Sequence, residues 1–241
     1  SDGHPGILTH ARDALRLTET IKGMFPELYP TSAQTPAANI RLGGDSVKAG
    51  LRFKTDFAKD SMFLNMYGEG LYCYTDDAAV QFGTLLIPKE LLGSYANVAE
   101  MFLAEMSLSE SERQVLNVAA KNIYRQTDST VSFTGVLTDI PKARYNTEVC
   151  AVGYVRYRSS ADQEWHYEFS DQKIQSYAGV AKLARENEYS DEKIKGQAAL
   201  EAIAKQLDEI IGGTSTPTGP ELPGKTGDDG QGGWIDNGKW Y

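Results

Sequence analysis

VSFTGVLTDIPKARYNTEVCAVGYVRY, residues Val131 to Tyr157, carries the clearest strand pattern in the chain. In its first arm Val131, Phe133 and Leu137 alternate with Ser132, Thr134 and Thr138; in its second, Val149, Ala151 and Val155 alternate with Cys150, Tyr154 and Arg156. Apolar residues at every second position mark a strand with one face turned to a core. Asp139, Pro141 and Asn146 fill the interval with turn chemistry, so the stretch reads as two antiparallel strands joined in a hairpin by a loop of roughly eight residues.

The same logic extends outward. WHYEFSDQKI adds a strand with Trp165, Tyr167 and Phe169 on one face, and AVQFGTLLIP a strand stopped by Pro88, with one helical turn, PKELLGS, after it. AANIRL and LRFKTDF, separated by the Gly-rich GGDSVKAG, form a second hairpin, and LYCYTDD a further strand. SESERQVLNVAA opens with Ser109 and has Glu112 three residues on, the pattern of a capping box, and predicts a helix over Ser109 to Ala120. Helical spacing also predicts helices over Ala11 to Met24, over Ser176 to Glu188 (Val180, Leu183 and Ala184 inward) and over Ser190 to Ile211, the last stopped at Gly212-Gly213. Strands in the middle and helices at the ends imply an α+β fold, an antiparallel β-sheet or sandwich core flanked by N- and C-terminal helices.

After Gly213 the composition changes to GGTSTPTGPELPGKTGDDGQGG, nearly devoid of apolar residues. The expected organisation is therefore 1–37, an N-terminal helix and lead-in; 38–213, the α+β module; 214–232, a Gly/Pro/Thr/Asp linker; and 233–241, a terminal segment with a two-residue turn signal at Asn237-Gly238.

With 41% hydrophobic residues among 241, the chain can bury a core without covalent staples. A formal charge of −9 with scattered Lys and Arg argues against a nucleic-acid partner. No apolar run is long enough to span a membrane, and SDGHPGILTH has neither the basic start nor the apolar middle of a signal peptide. Cys73 and Cys150 both lie in expected strands; a cross-sheet disulfide and two buried free thiols are both open readings.

Chemistry is sparse. His4 and His10 lie near the terminus, which leaves His166 as the one histidine expected to be held, on an exposed strand position. Zinc spacing and the familiar nucleophile contexts are missing, and GGDSVKAG lacks the spacing of a phosphate loop. DGHPGILTHARDAL resembles the calcium loop of dockerins but has His4 and Gly6 where oxygen ligands are required. Asp76, Asp77, Glu105, Glu110 and Glu112 read as turn or solvated-face residues. The expectation is no catalytic residue, no metal and no cofactor. With thirteen tyrosines in the chain, the candidate ligand-binding patch is aromatic: Tyr154, Arg156, Trp165 and Tyr167.

The end of the chain, GWIDNGKWY, resembles the opening of a choline-binding or cell-wall-binding repeat, with Gly233, Trp234, Asn237, Gly238, Lys239, Trp240 and Tyr241 in place. The resemblance implies that Trp234, Trp240 and Tyr241 contribute to an aromatic cage for a quaternary ammonium or a wall sugar, completed by the next repeat. Residues from about 38 to 184 also resemble a domain of large secreted Gram-positive surface proteins, through IRL…GLRFKT, FGTLLIP, FTGVLTDIP, GYVRY and SYAGVAKLA. These resemblances imply an extracellular, cell-surface location, attachment to the wall through downstream repeats, and a non-enzymatic role in binding a host glycoprotein or glycan. A passive spacer, or a domain acting on glycans, is the alternative.

Overall fold

The computed structural model describes residues 17, 33–44, 46–58, 80–127, 129–158, 164–212 and, as backbone, 231–233. The predicted helix over Ala11 to Met24 lies outside these residues except for Leu17, which is helical and exposed. Also outside them are Cys73 and the strand predicted around it, Asp76, Asp77, most of the linker, and Trp234, Trp240 and Tyr241.

Two mainly antiparallel sheets stand with a few helices, an α+β arrangement. In the first, β1 (Ala37–Arg41), β2 (Gly50–Ala58), β6 (Thr130–Thr138) and β10 (Gln231–Gly233) follow in that order, and the short β5 (Arg125–Gln126) also pairs with β6. In the second, the order is β4 (Leu116–Ala119), β3 (Val80–Pro88), β7 (Val149–Arg158) and β8 (Trp165–Phe169), with β9 (Lys173–Gln175) also on β7. The β1–β2 hairpin forms as the sequence predicts, its Gly-rich turn closed by reciprocal backbone bonds between Gly44 and Val47.

The predicted hairpin of Val131 to Tyr157 does not form. Its arms are strands, and the face read as apolar in each is turned to a core, although β7 buries most of its other face as well; but β6 pairs with β2 and β7 pairs with β3, in different sheets. The apolar faces meet across the interface instead of edge to edge: Phe57, Val131 and Phe133 from one sheet pack with Val80, Phe82, Val155 and Tyr157 from the other. Phe82 and Phe133 rings sit 5.0 Å apart. Between the arms Asp139 takes a positive φ of 55° and a 3-10 turn, Lys142–Arg144, follows Pro141, so the connection crosses from layer to layer.

At the centre of this interface two threonines fit over two glycines. A Cβ on Gly153 would lie 2.2 Å from Thr55 Oγ1, and a Cβ on Gly135 would lie 2.5 Å from Thr84 Cβ. Both threonine hydroxyls are buried without a hydrogen-bond partner. Main-chain atoms of one layer thus touch side chains of the other, which brings the sheets closer than two branched side chains would allow.

Three further expectations change. Ser109 to Ala120 is not a helix. The Glu112 carboxylate does accept from the Ser109 N–H, one half of a capping box, but it also accepts from the Ser109 hydroxyl, while the Glu112 N–H donates to the Ser109 carbonyl; the bonds close a turn, and Leu116–Ala119 continues as β4. The box is a local motif, whereas Leu116 and Val118 satisfy period two and pair with β3. A helix not read from the sequence, α1 (Val98–Glu105), lies just upstream, capped by Asn97 accepting from Glu100 N–H. The helix expected over Ser190 to Ile211 breaks into α3 (Asp191–Ile194) and α4 (Ala198–Ile211), because Gly196 takes φ +76°, a left-handed value at which a helix stops. α2 (Tyr177–Asn187) forms behind its Ser176 cap, with Val180 and Ala184 buried but Leu183 exposed.

At the far end of the stretch read as linker, Gln231 and Gly232, with Gly233, run parallel to β6 opposite Val136 to Thr138. Backbone pairing needs no apolar side chain, so composition does not signal it. Among the described residues no helix is long and apolar enough to cross a membrane.

Candidate functional site

β7 is buried on both faces for most of its length: one face meets the other sheet and the second lies under α1. Toward its end that second face opens. The register opposes Tyr154 with Phe169, Arg156 with Tyr167 and Arg158 with Trp165, so six side chains share one surface in two columns. β9 continues this edge of the sheet with one residue more than β7 across the gap, a β-bulge at which Ser170 exchanges hydrogen bonds with Gly153.

Of the four residues selected from the sequence, Tyr154 is fully buried and belongs to the base of the site. Its ring lies over Gly83, where a Cβ would come within 2.4 Å of it, and its hydroxyl donates to Asn117 Oδ1 at 2.9 Å. Phe102 of α1 covers it, with ring centroids 6.3 Å apart, and also meets Tyr167 edge-on at 5.7 Å. Tyr167 stacks on Phe169 at 5.7 Å.

The other three form a half-buried stripe. Arg156 Nε donates to Gln81 Oε1 at 2.8 Å and Nη1 to the Tyr167 hydroxyl at 3.0 Å, which fixes the plane of the guanidinium. Its central carbon lies 4.3 Å from the Trp165 ring centroid and 5.9 Å from that of Tyr167. Arg158 lies 4.5 Å from the same Trp165 ring. Each cation–π contact contributes roughly 0.5–1 kcal/mol at such partly exposed positions, enough to hold the order Tyr167, Arg156, Trp165, Arg158. A fixed planar cation beside a flat apolar ring suits a ligand that presents an anionic group next to an apolar face.

Gln81, Asn117, Phe102 and Arg158 were missing from the sequence-based patch. Arg158 had a signal, since it stands two residues after Arg156 on the same strand face. Gln81, Asn117 and Phe102 arrive from other elements and had none.

The remaining candidates sit elsewhere. His166 is half-buried rather than exposed, stacked on the buried Tyr157 at 5.3 Å, because it falls on the opposite face of β8 from Trp165. Glu105 is buried and accepts from the Gln114 and Val115 N–H groups, while Glu112 is held in the Ser109 turn. Among the described residues no three His, Cys, Asp or Glu side chains gather as a metal site. Cys150 is a buried free thiol between Ile87 and Ile174. Burial pushes this thiol up to about 11, so at pH 8 its alkylation by iodoacetamide in the native protein should run at least about tenfold slower than in urea. Mass analysis of the peptide containing Cys150 checks this; equal rates would mean that the strand opens.

No family model, curated protein or solved structure matches the chain. The functional reading therefore rests on the stripe and on the residues themselves.

Proposed function

We propose that this chain is a non-catalytic, extracellular ligand-binding module of a Gram-positive cell-surface protein, a β-sandwich with helices at both ends. Its ligand is a host glycan or glycoprotein that places a carboxylate or sulfate against Arg156 and Arg158 and an apolar face against Trp165. The observation that carries the reading is the Arg156 guanidinium, clamped by Gln81 and Tyr167 and laid over a half-exposed tryptophan. In a chain of net charge −9, two arginines gathered on one indole concentrate positive charge locally. The GWIDNGKWY terminus supports attachment to the wall through repeats of the kind it resembles, with Trp234, Trp240 and Tyr241 as cage residues.

The test is a titration of the 241-residue chain with sialylated and sulfated oligosaccharides and their neutral counterparts, read by calorimetry and by Trp fluorescence. Acidic glycans should bind and neutral ones should not. Trp165→Ala should weaken binding by at least about tenfold while leaving the thermal midpoint nearly in place, since Trp165 is only half-buried. Binding that ignores Trp165→Ala overturns the site. Silence toward acidic glycans and the glycoproteins that carry them overturns the binding role and favours a spacer.

A further inference from the structure

Among the described residues the first sheet ends in β1, and beside its outer edge stands α2 rather than another strand. Between β1 and α2 runs a groove of about 700 Å³. A terminal antiparallel strand directs every second N–H and C=O away from its partner, in a row that only another extended main chain matches. The two walls of the groove differ in chemistry. Ile40 of β1 and Leu42 just beyond it pack toward the helices, where Leu183 remains 48% exposed; Val47, from the β1–β2 turn, also lines the groove and is 39% exposed. Asn39 and Arg41 fall on the opposite face of the strand, with Arg52 paired to Asn39 and donating to its Oδ1 at 2.5 Å. Among the charged lining residues two are guanidiniums, Arg41 and Arg52, and one is a carboxylate, Glu188.

We propose that this groove binds an extended peptide segment of a protein partner, which adds to β1 as a further strand. The alternation of β1 is imposed on the guest. Side chains at every second position face Leu183 and Val47 and should be apolar; those between face Arg41 and Arg52 and should be acidic. Main-chain pairing supplies affinity, and the two walls supply the choice of sequence. The site is separate from the arginine stripe, so either can fail without the other.

The probe is a labelled six-residue peptide alternating Glu or Thr with Val or Ile, compared with a version carrying Lys for Glu and with one interrupted by Pro. Binding to the full chain is followed by fluorescence anisotropy, and hydrogen exchange is followed at the amides of Ala38 to Arg41. The acidic peptide should bind with a micromolar Kd and slow exchange along β1, and the interrupted one should not. Leu183→Glu, at an exposed position that leaves the fold intact, should weaken binding at least about tenfold. Arg41→Glu should shift preference toward the Lys peptide. The proposal is overturned if the acidic peptide fails to bind at about 1 mM, if it binds without slowing β1 exchange, or if neither substitution alters its affinity.

Discussion

Gly153→Ala is expected to destabilise the protein by about 3 kcal/mol, the upper part of the range for overpacking a core. The added methyl would lie 2.2 Å from Thr55 Oγ1, 2.6 Å from Thr55 Cγ2 and 2.8 Å from Thr55 Cβ. Thr55 is fully buried and belongs to the opposite sheet, so it cannot swing into solvent; the layers must separate or β7 must shift. Either movement strains the neighbouring fit of Thr84 over Gly135, and a shift of β7 also disturbs the Ser170 bonds to Gly153. The urea midpoint of Gly153→Ala against the parent measures the loss. Thr55→Gly removes the obstructing side chain at a cost of its own, about 1 kcal/mol for a glycine within a strand, plus lost packing. The double substitution should nonetheless be more stable than the sum of the two singles by at least about 1 kcal/mol. Strict additivity would show that the contact between layers is not what fails.

Glu105→Ala carries the next largest expected loss, about 3 kcal/mol. Both carboxylate oxygens lie 3.0 Å from the Gln114 N–H, and Oε2 also accepts from the Val115 N–H at 3.0 Å. Glu105 is 6% exposed and the Val115 residue it bonds is buried, so removing the carboxylate strands the Val115 amide without its acceptor. These bonds tie the segment after α1 to the end of that helix, and Arg113 reinforces them by donating to the carbonyls of Glu105, Met106 and Leu108. Glu105→Gln keeps a carbonyl acceptor and should lose only about 1 kcal/mol, the difference between a charged and a neutral acceptor. Denaturation midpoints for the two variants, with hydrogen exchange at Val115, distinguish this from a general helix effect: the alanine variant should speed exchange at Val115 far more than the glutamine one. Equal losses in both would show that the amide bonds do not account for the burial of Glu105.

The stripe shows how unevenly a site can be read from a chain. Arg156, Trp165 and Tyr167 were legible because β7 and β8 each alternate, and aromatic residues on one strand face stay together whatever lies beside them. Tyr154 obeys the same alternation yet is buried, since Gly83 on the next strand leaves room for its ring and Phe102 closes over it. Neither neighbour is close in sequence. The false helix at Ser109 to Ala120 has a similar origin: the Ser109 and Glu112 bonds are real, but they stabilise one turn, and burial of Val118 against β3 makes the residues after that turn a strand.

By itself the amino-acid order determined that β1, β2, β3, β6, β7 and β8 are strands, where Pro88 and Gly212 end their elements, and that the class is α+β; it did not reveal β4 or β10. Only the tertiary structure decided that β6 and β7 lie in different sheets. Period-two alternation records how one strand meets a core, and that record is the same whether the strand beside it in sequence pairs along its edge or stacks across its face. The choice falls to long-range fits such as Thr55 over Gly153 and Thr84 over Gly135, made by residues about fifty to a hundred positions apart whose complementarity exists only once the layers meet.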